Sequence, residues 1–402
     1  MSAPKGNAIV SQSGGPTGVI NASLVGVIEA AQKCANIEKI FGAVHAVSGI
    51  VKDQFVDLTN LDADTLNLIA GSPSSALGSS RDKPDVEYCK KIITICQKRG
   101  VRYFFYIGGN DSANTCKIIN EQAEAAGYEM RAFHVPKTID NDLRTTDHCP
   151  GYGTAAKFVA CAVKGDDLDN RALPGVKIDV IMGRDAGWLT AATTLGQERE
   201  DDGPHLVYLP EAPVSMDKFV ADVKAVYDKL GRCVVAVSEG IRDADGVTWA
   251  KKIAENVEVD SHGNVQLSGS GALADFLAGQ VKGKTGIKRV RADTFGYLQR
   301  SFAGLQSETD VVEARETGRK AVEFAQQYTS GSAIMKRVGQ GKNYKVVFER
   351  TELKNVAEFT KELPHEFINA TGNGVTQAFK DYALPLCGSL PKTGYLATMP
   401  RV

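Results

Sequence analysis

The chain has 402 residues, 47 of them basic and 48 acidic, so no charge excess directs it to nucleic acid or an anionic membrane. Its length accommodates two domains of ordinary size, and 43% hydrophobic against 24% charged residues suits a soluble globular chain. A substrate with several negative charges would therefore need a local cluster of Arg and Lys.

The N-terminal stretch Met1–Gln12 lacks the charged-then-apolar order of a signal peptide, and the apolar runs fall short of the roughly 20 residues of a membrane span. Eight cysteines occur without a CxxC pair, which predicts reduced thiols packed in a core and a cytoplasmic setting. Six histidines show neither HxxxH nor HExxH spacing, so no zinc site is expected.

Along the chain, a strand, a glycine-bearing turn and a helix recur. Ala8–Ser11 predicts a strand, SGGPTG a turn at Ser13–Gly18, and NASLVGVIEAAQ a helix. Arg102–Ile107 reads as a buried strand running into GGNDS (Gly108–Ser112), with a helix from near Ala113. Lys177–Met182 and Cys233–Ser238 are two further apolar strands, ending at GR and EG. Gly271–Gly286 predicts a helix closed by a glycine-rich turn, and Arg337–Lys345 a surface turn or hairpin. Alternation of this kind predicts parallel βαβ units covered by helices on both faces. Ligands of such sheets sit beyond the carboxyl ends of the strands, where these motifs fall.

Six motifs carry candidate chemistry, each with a plainer structural alternative. SGGPTGVIN (Ser13–Asn21) brings backbone N–H groups and a helix N-terminus to an anion, or it is a tight packing turn. It is neither GxGxxG nor a Walker A loop. In GGNDS, Asp111 would repel a bound phosphate unless a cation lay between them, or it merely caps a helix. PKTIDND (Pro136–Asp142) offers Asp140 and Asp142 behind Lys137, a base and a phosphate cation rather than an Asx-rich turn. MGRDAGWL supplies Arg184, whose fork suits phosphoryl oxygens. SEG closes a strand with Glu239, a carboxylate suited to sugar hydroxyls. RADTFGYLQR carries Arg291, Tyr297 and Arg300, a second anion site or ordinary surface charge.

Taken together and in this order, the motifs resemble the phosphofructokinase family over nearly the whole chain. The resemblance implies an α/β fold of two doubly wound, Rossmann-like domains with mainly parallel sheets and the active site in the cleft between them. Residues 1–149 with 298–345 would form the donor domain, and 150–297 with 346–402 the fructose 6-phosphate domain. By resemblance, Gly15 contacts donor phosphates and Arg81, in LGSSR, bridges the transferred phosphoryl group. Asp140 takes the proton of the sugar's 1-hydroxyl, flanked by Thr138 and Asp142, the latter close to Mg²⁺. Met182, Gly183 and Arg184 grip the sugar phosphate and steady the moving group, and Glu239 binds sugar hydroxyls. Arg291, Tyr297 and Arg300 match the 6-phosphate pocket, with Tyr297 where ATP-dependent members commonly have histidine.

Asp111 and Lys137 stand where ATP-dependent members have glycine, and both are the types of pyrophosphate-dependent members. The implied reaction is reversible phosphoryl transfer from pyrophosphate to fructose 6-phosphate; an ATP-dependent 6-phosphofructokinase and a non-catalytic sugar-phosphate sensor are the alternatives. Asn110 replaces an aspartate that binds metal in many members, so Mg²⁺ ligation would rest on Asp111 or Asp142. Gly175 stands where many bacterial members place an arginine that reaches a neighbouring subunit, with Arg171 and Lys177 the nearest cations. A homodimer or homotetramer is implied, with no nucleic-acid or membrane partner.

Overall fold

The computed structural model describes residues 3–253, 270–357 and 360–396. Apolar strands in chain order are β1 (Gly6–Gln12), β2 (Ile37–Ala43), β3 (Phe55–Asp57), β4 (Val101–Gly108), β5 (Arg131–Pro136), β6 (Val176–Ile181), β7 (Leu206–Tyr208), β8 (Cys233–Ser238), β9 (Val290–Thr294), β10 (Ser330–Arg337) and β11 (Val346–Thr351). They assemble into two sheets, of order β11-β10-β5-β4-β1-β2-β3 and β7-β8-β6-β9. The second sheet is parallel throughout. In the first, only the edge strands β3 and β11 run antiparallel to their neighbours.

Side-chain alternation on these strands explains the layering. On β4, Tyr103, Phe105 and Ile107 enter one core with the helices Ile20–Gln32 and Glu308–Ala325, while Phe104 and Tyr106 enter another with Val86–Lys98 and Asn110–Ala125. Each fully buried aromatic or aliphatic side chain of this kind is worth about 1.5–3 kcal/mol. The second sheet is covered likewise: Val176, Ile178 and Val180 face Met216–Leu230 and Ala272–Thr285. Ile181 and Ala236 face Tyr152–Ala172 and Gln377–Cys387. The chain is thus an α/β fold of two sheets with helices on both faces of each. Among the described residues, no helix is long and apolar enough to cross a membrane.

Two expectations differ in detail. A return to the second domain at residue 345 does not occur there: β10 and β11 form an antiparallel hairpin, keeping the chain in the first sheet through Thr351. The reason is the short turn Gly341–Asn343, which leaves no length for a crossover. The helix expected from near Ala113 begins at Asn110, because Gly109 takes the extended N-cap conformation with no side-chain cap. Asp111 and Ser112 therefore lie in its first turn rather than capping it.

One contact ties the segments together. Asp310, in the first turn of the helix Glu308–Ala325, accepts from Gly151 N–H at 2.9 Å and Thr154 N–H at 2.8 Å. It thereby closes the N-terminus of the helix Tyr152–Ala172, which packs on the other sheet.

Candidate active site

Five strands deliver their following residues to one cleft. Ser13–Gly15 follow β1, Gly109 and the helix Asn110–Ala125 follow β4, and Lys137–Asp142 follow β5. From the second sheet, Met182–Arg184 follow β6 and Glu239 follows β8. Gly14, at φ 74°, donates its N–H to Ser80 O at 2.9 Å and accepts from Ser79 Oγ at 2.6 Å, which fastens the loop carrying Arg81. At Gly15 a Cβ would stand 2.5 Å from Arg300 Nη1, so a side chain there would push the guanidinium from its place against this turn. Asn141, in left-handed backbone at φ 55°, holds the acidic turn. Its side chain accepts from Cys149 N–H at 3.0 Å and donates to Tyr382 OH at 3.1 Å.

A cavity of about 410 Å³ is lined by Gly15, Arg81, Asp111, Lys137, Thr138, Asp140, Asp142, Met182, Arg184, Glu239, Tyr297 and Arg300. Two further candidates are not among its walls. Gly183, at φ 139°, is the hinge between Met182 and Arg184, and its N–H donates to Glu239 Oε1 at 3.3 Å. Arg291 stands apart on β9, exposed, with Nη1 donating to Val290 O at 3.1 Å. The fold separates it from Tyr297 and Arg300 because β9 ends before the turn Gly296–Arg300 enters the cleft.

The charges in this cleft perturb one another. Lys137 is buried, and its Nζ donates to Gly15 O at 2.7 Å. Burial and then Arg300 pull its proton affinity down to about 8, against the pull of Asp140 and Asp142. Burial, followed by the charges of Asp142 and Glu239, pushes the Asp140 carboxyl up to about 7. Asp142 is raised by burial too, partly offset by backbone N–H and Thr138 hydrogen bonds. The Arg300 guanidinium lies 4.5 Å over the Tyr297 ring, and burial lowers its own proton affinity. Two carboxylates with a proton in play, faced by Arg81, Lys137, Arg184 and Arg300, suit transfer of an anionic group onto a hydroxyl.

The donor set fits a hard divalent cation. Asp111, Asp142 and Asn110 line the same cavity, and Asn110 Oδ1 is a buried oxygen with no hydrogen-bond partner. Several residues at or behind this cavity carry no sequence signal of their role. Lys83 pairs with Asp111, Nζ to Oδ2 at 3.0 Å, and Asp185 joins the cavity wall. Lys361 donates its N–H to Asp142 O at 2.6 Å and its Nζ to Asp147 O at 2.7 Å. Asp185 sits inside the MGRDAG motif, whereas Lys83 lies two residues beyond LGSSR and Lys361 in a stretch with no motif.

A sequence profile described as phosphofructokinase matches residues 7–325. The pyrophosphate–fructose 6-phosphate 1-phosphotransferase of Rhodospirillum rubrum is 54% identical over 385 residues, covering 96% of this chain and 95% of its own. The protein of the same name from Xanthomonas campestris is 37% identical, covering 95% and 91%. Among solved structures, the pyrophosphate-dependent phosphofructokinase from Nitrosospira multiformis superposes with a TM-score of 0.85 at 33% identity, covering 98% of this chain and 95% of that one. Since the matched span takes in the glycine turns, the acidic turn and both arginine-bearing turns of the cleft, the chain belongs to the phosphofructokinase family.

Proposed function

We propose that the chain transfers a phosphoryl group from pyrophosphate to the 1-hydroxyl of fructose 6-phosphate, reversibly, giving fructose 1,6-bisphosphate and orthophosphate. The observation that carries this is the joining of Asp140 and Asp142 to Arg81, Lys137, Arg184 and Arg300 around one cavity, with Asp111 on its donor side. Near-full-length relatives of that activity support it.

In the reaction, the sugar O1 forms a bond to phosphorus as the P–O–P bridge breaks, and the hydroxyl proton passes to Asp140. A base whose proton affinity lies near neutrality is matched to that work. Lys137 holds the leaving phosphate, Arg81 bridges the transferred phosphoryl group, Arg184 steadies the moving group, and Met182 and Glu239 seat the sugar. Tyr297 and Arg300 take the 6-phosphate, and Arg291 serves the same phosphate of a neighbouring subunit. Asp142 and Asp111, with Asn110 beside them, would hold Mg²⁺, which when bound neutralises phosphate charge. Residues 150–297 and the C-terminal segment after Ala357 would form the sugar-phosphate half and the remainder the donor half, since β11 and the helix Lys354–Ala357 pack with the first sheet. A cytoplasmic homodimer or homotetramer fits the shared role of Arg291.

The direct test supplies purified protein with fructose 6-phosphate, Mg²⁺ and either pyrophosphate or ATP at equal millimolar concentration. Faster turnover with pyrophosphate is expected. Faster turnover with ATP would make the chain an ATP-dependent kinase, and none with either donor would favour the sensor. Sedimentation at micromolar concentration tests the oligomer, a fully active monomer being the contrary result.

A further inference from the structure

The cleft does not end at Asp111. A second cavity of about 310 Å³ shares Gly14, Gly15, Arg81, Asp111, Ser112 and Arg184 with the first. Beyond them its walls carry the hydroxyl side chains of Ser13, Ser80, Tyr106 and Thr115, with Lys83 and the carboxylate of Asp82. Room for a donor longer than pyrophosphate therefore exists, so donor choice does not rest on a missing chamber. It rests on what stands at the junction.

Asp111 stands there, and a bare carboxylate at that point would repel the phosphates of pyrophosphate as well as those of a nucleotide. Besides any metal ion that Asp111 helps to hold, the chain supplies a countercharge of its own: Lys83 Nζ lies 3.0 Å from Asp111 Oδ2. Arg81 and Arg184 line both chambers, but Lys83 lines only the second. It therefore reaches Asp111 from the side away from Asp140. Both members of the pair are more than half exposed, at 54% and 68%, so their contact adds little to stability. Its consequence is local: the carboxylate's bulk remains at the junction while its charge is cancelled.

We propose that Lys83 is a donor-specificity residue: it positions Asp111 across the junction and neutralises it, so that the site accepts pyrophosphate and bars a longer nucleotide donor. The inference rests on the donor reading above. Lys83 acts through Asp111 and is a positioning residue, not a catalytic one.

The test is a double-mutant cycle read in donor kinetics. Lys83→Met removes this countercharge from Asp111 and is expected to raise KM for pyrophosphate about fivefold, with KM for fructose 6-phosphate changed by less than about twofold. Lys83→Arg should restore the wild-type value. Because Lys83 acts only through the Asp111 carboxylate, adding Lys83→Met to Asp111→Asn should change KM for pyrophosphate by less than about twofold relative to Asp111→Asn alone. In Asp111→Gly, loss of the carboxylate should let ATP turnover rise from a low base, and because the freed ammonium faces the second chamber that gain should shrink by about fivefold when Lys83→Met is added. A pyrophosphate KM unchanged in Lys83→Met, or a Lys83→Met effect that persists undiminished in the Asp111→Asn background, overturns the inference while the donor reading stands. A wild-type enzyme that turns over faster with ATP overturns the donor reading and the inference with it.

Discussion

Replacing Lys137 by methionine keeps the length of the side chain and removes its charge. In the structure the ammonium is buried against Gly15 O at 2.7 Å, between the two glycine turns that face the donor. A unit charge pair at about 4 Å is worth about 4 kcal/mol at an effective dielectric constant of about 20. Part of that is already offset, since burial has drawn the proton affinity of Lys137 down to about 8. Truncating one partner of such a desolvated pair costs on the order of 2–5 kcal/mol, roughly 30-fold to several thousand-fold. The assay is steady-state formation of fructose 1,6-bisphosphate at varied pyrophosphate. The loss should fall on kcat/KM for pyrophosphate, with fructose 6-phosphate binding little changed. Thermal unfolding should show the variant folded, because a buried charge exchanged for an apolar chain of similar volume is tolerated. A loss in kcat/KM below about threefold would refute the placement of Lys137 on the donor.

Further outcomes follow from the same geometry. Asp140→Asn should lower kcat by about 10²–10⁴-fold while fructose 6-phosphate affinity holds; wild-type turnover would remove Asp140 from the role of base. The pH profile of kcat/KM for pyrophosphate should be a bell. Asp140 must be ionised, and its carboxyl is raised to about 7, so activity should fall as pH drops through that value. Lys137 must be charged and is lowered to about 8, so activity should fall again as pH rises past it. A flat profile across both limbs would contradict the assignment. Chelation should abolish turnover and added Mg²⁺ restore it, with Asp142→Asn requiring more Mg²⁺ for half-maximal rate; an unchanged requirement would take Asp142 out of the metal site. Asp310→Ala strips two buried N–H groups of their acceptor and should cost about 1–3 kcal/mol in denaturant unfolding; an unchanged midpoint would deny that the contact matters.

The architecture was legible because its signals are local. Apolar strands such as Arg102–Ile107 and Cys233–Ser238 carry no alternation, as strands covered on both faces must, and each ends at a glycine or acidic turn. That placed the motifs at one sheet edge before any coordinates. Errors arose where a local signal had two meanings. Asp111 and Ser112 resemble helix caps, yet the helix starts ahead of them because Gly109 can take the cap conformation without a side chain. Arg291 belongs to the same motif as Tyr297 and Arg300, but a strand end and a turn send them to different surfaces.

What sequence could not show is interaction across the fold. The carboxyl of Asp140 is raised by burial, Asp142 and Glu239, and Glu239 comes from the end of β8, in the other sheet. An acidic residue in an Asx-rich turn gives no sign of that neighbour. The same holds for Lys83, an exposed lysine in an irregular segment, whose partner Asp111 follows a different strand. Lys83 itself carries no periodicity, glycine or motif. The residues that define the reaction type sit in motifs because the chemistry constrains their spacing, whereas those that tune charge need only arrive at the right place in space. Tuning residues are therefore the ones a fold reveals, and Lys83 at the junction of two chambers is the case in this molecule where the difference has a measurable consequence.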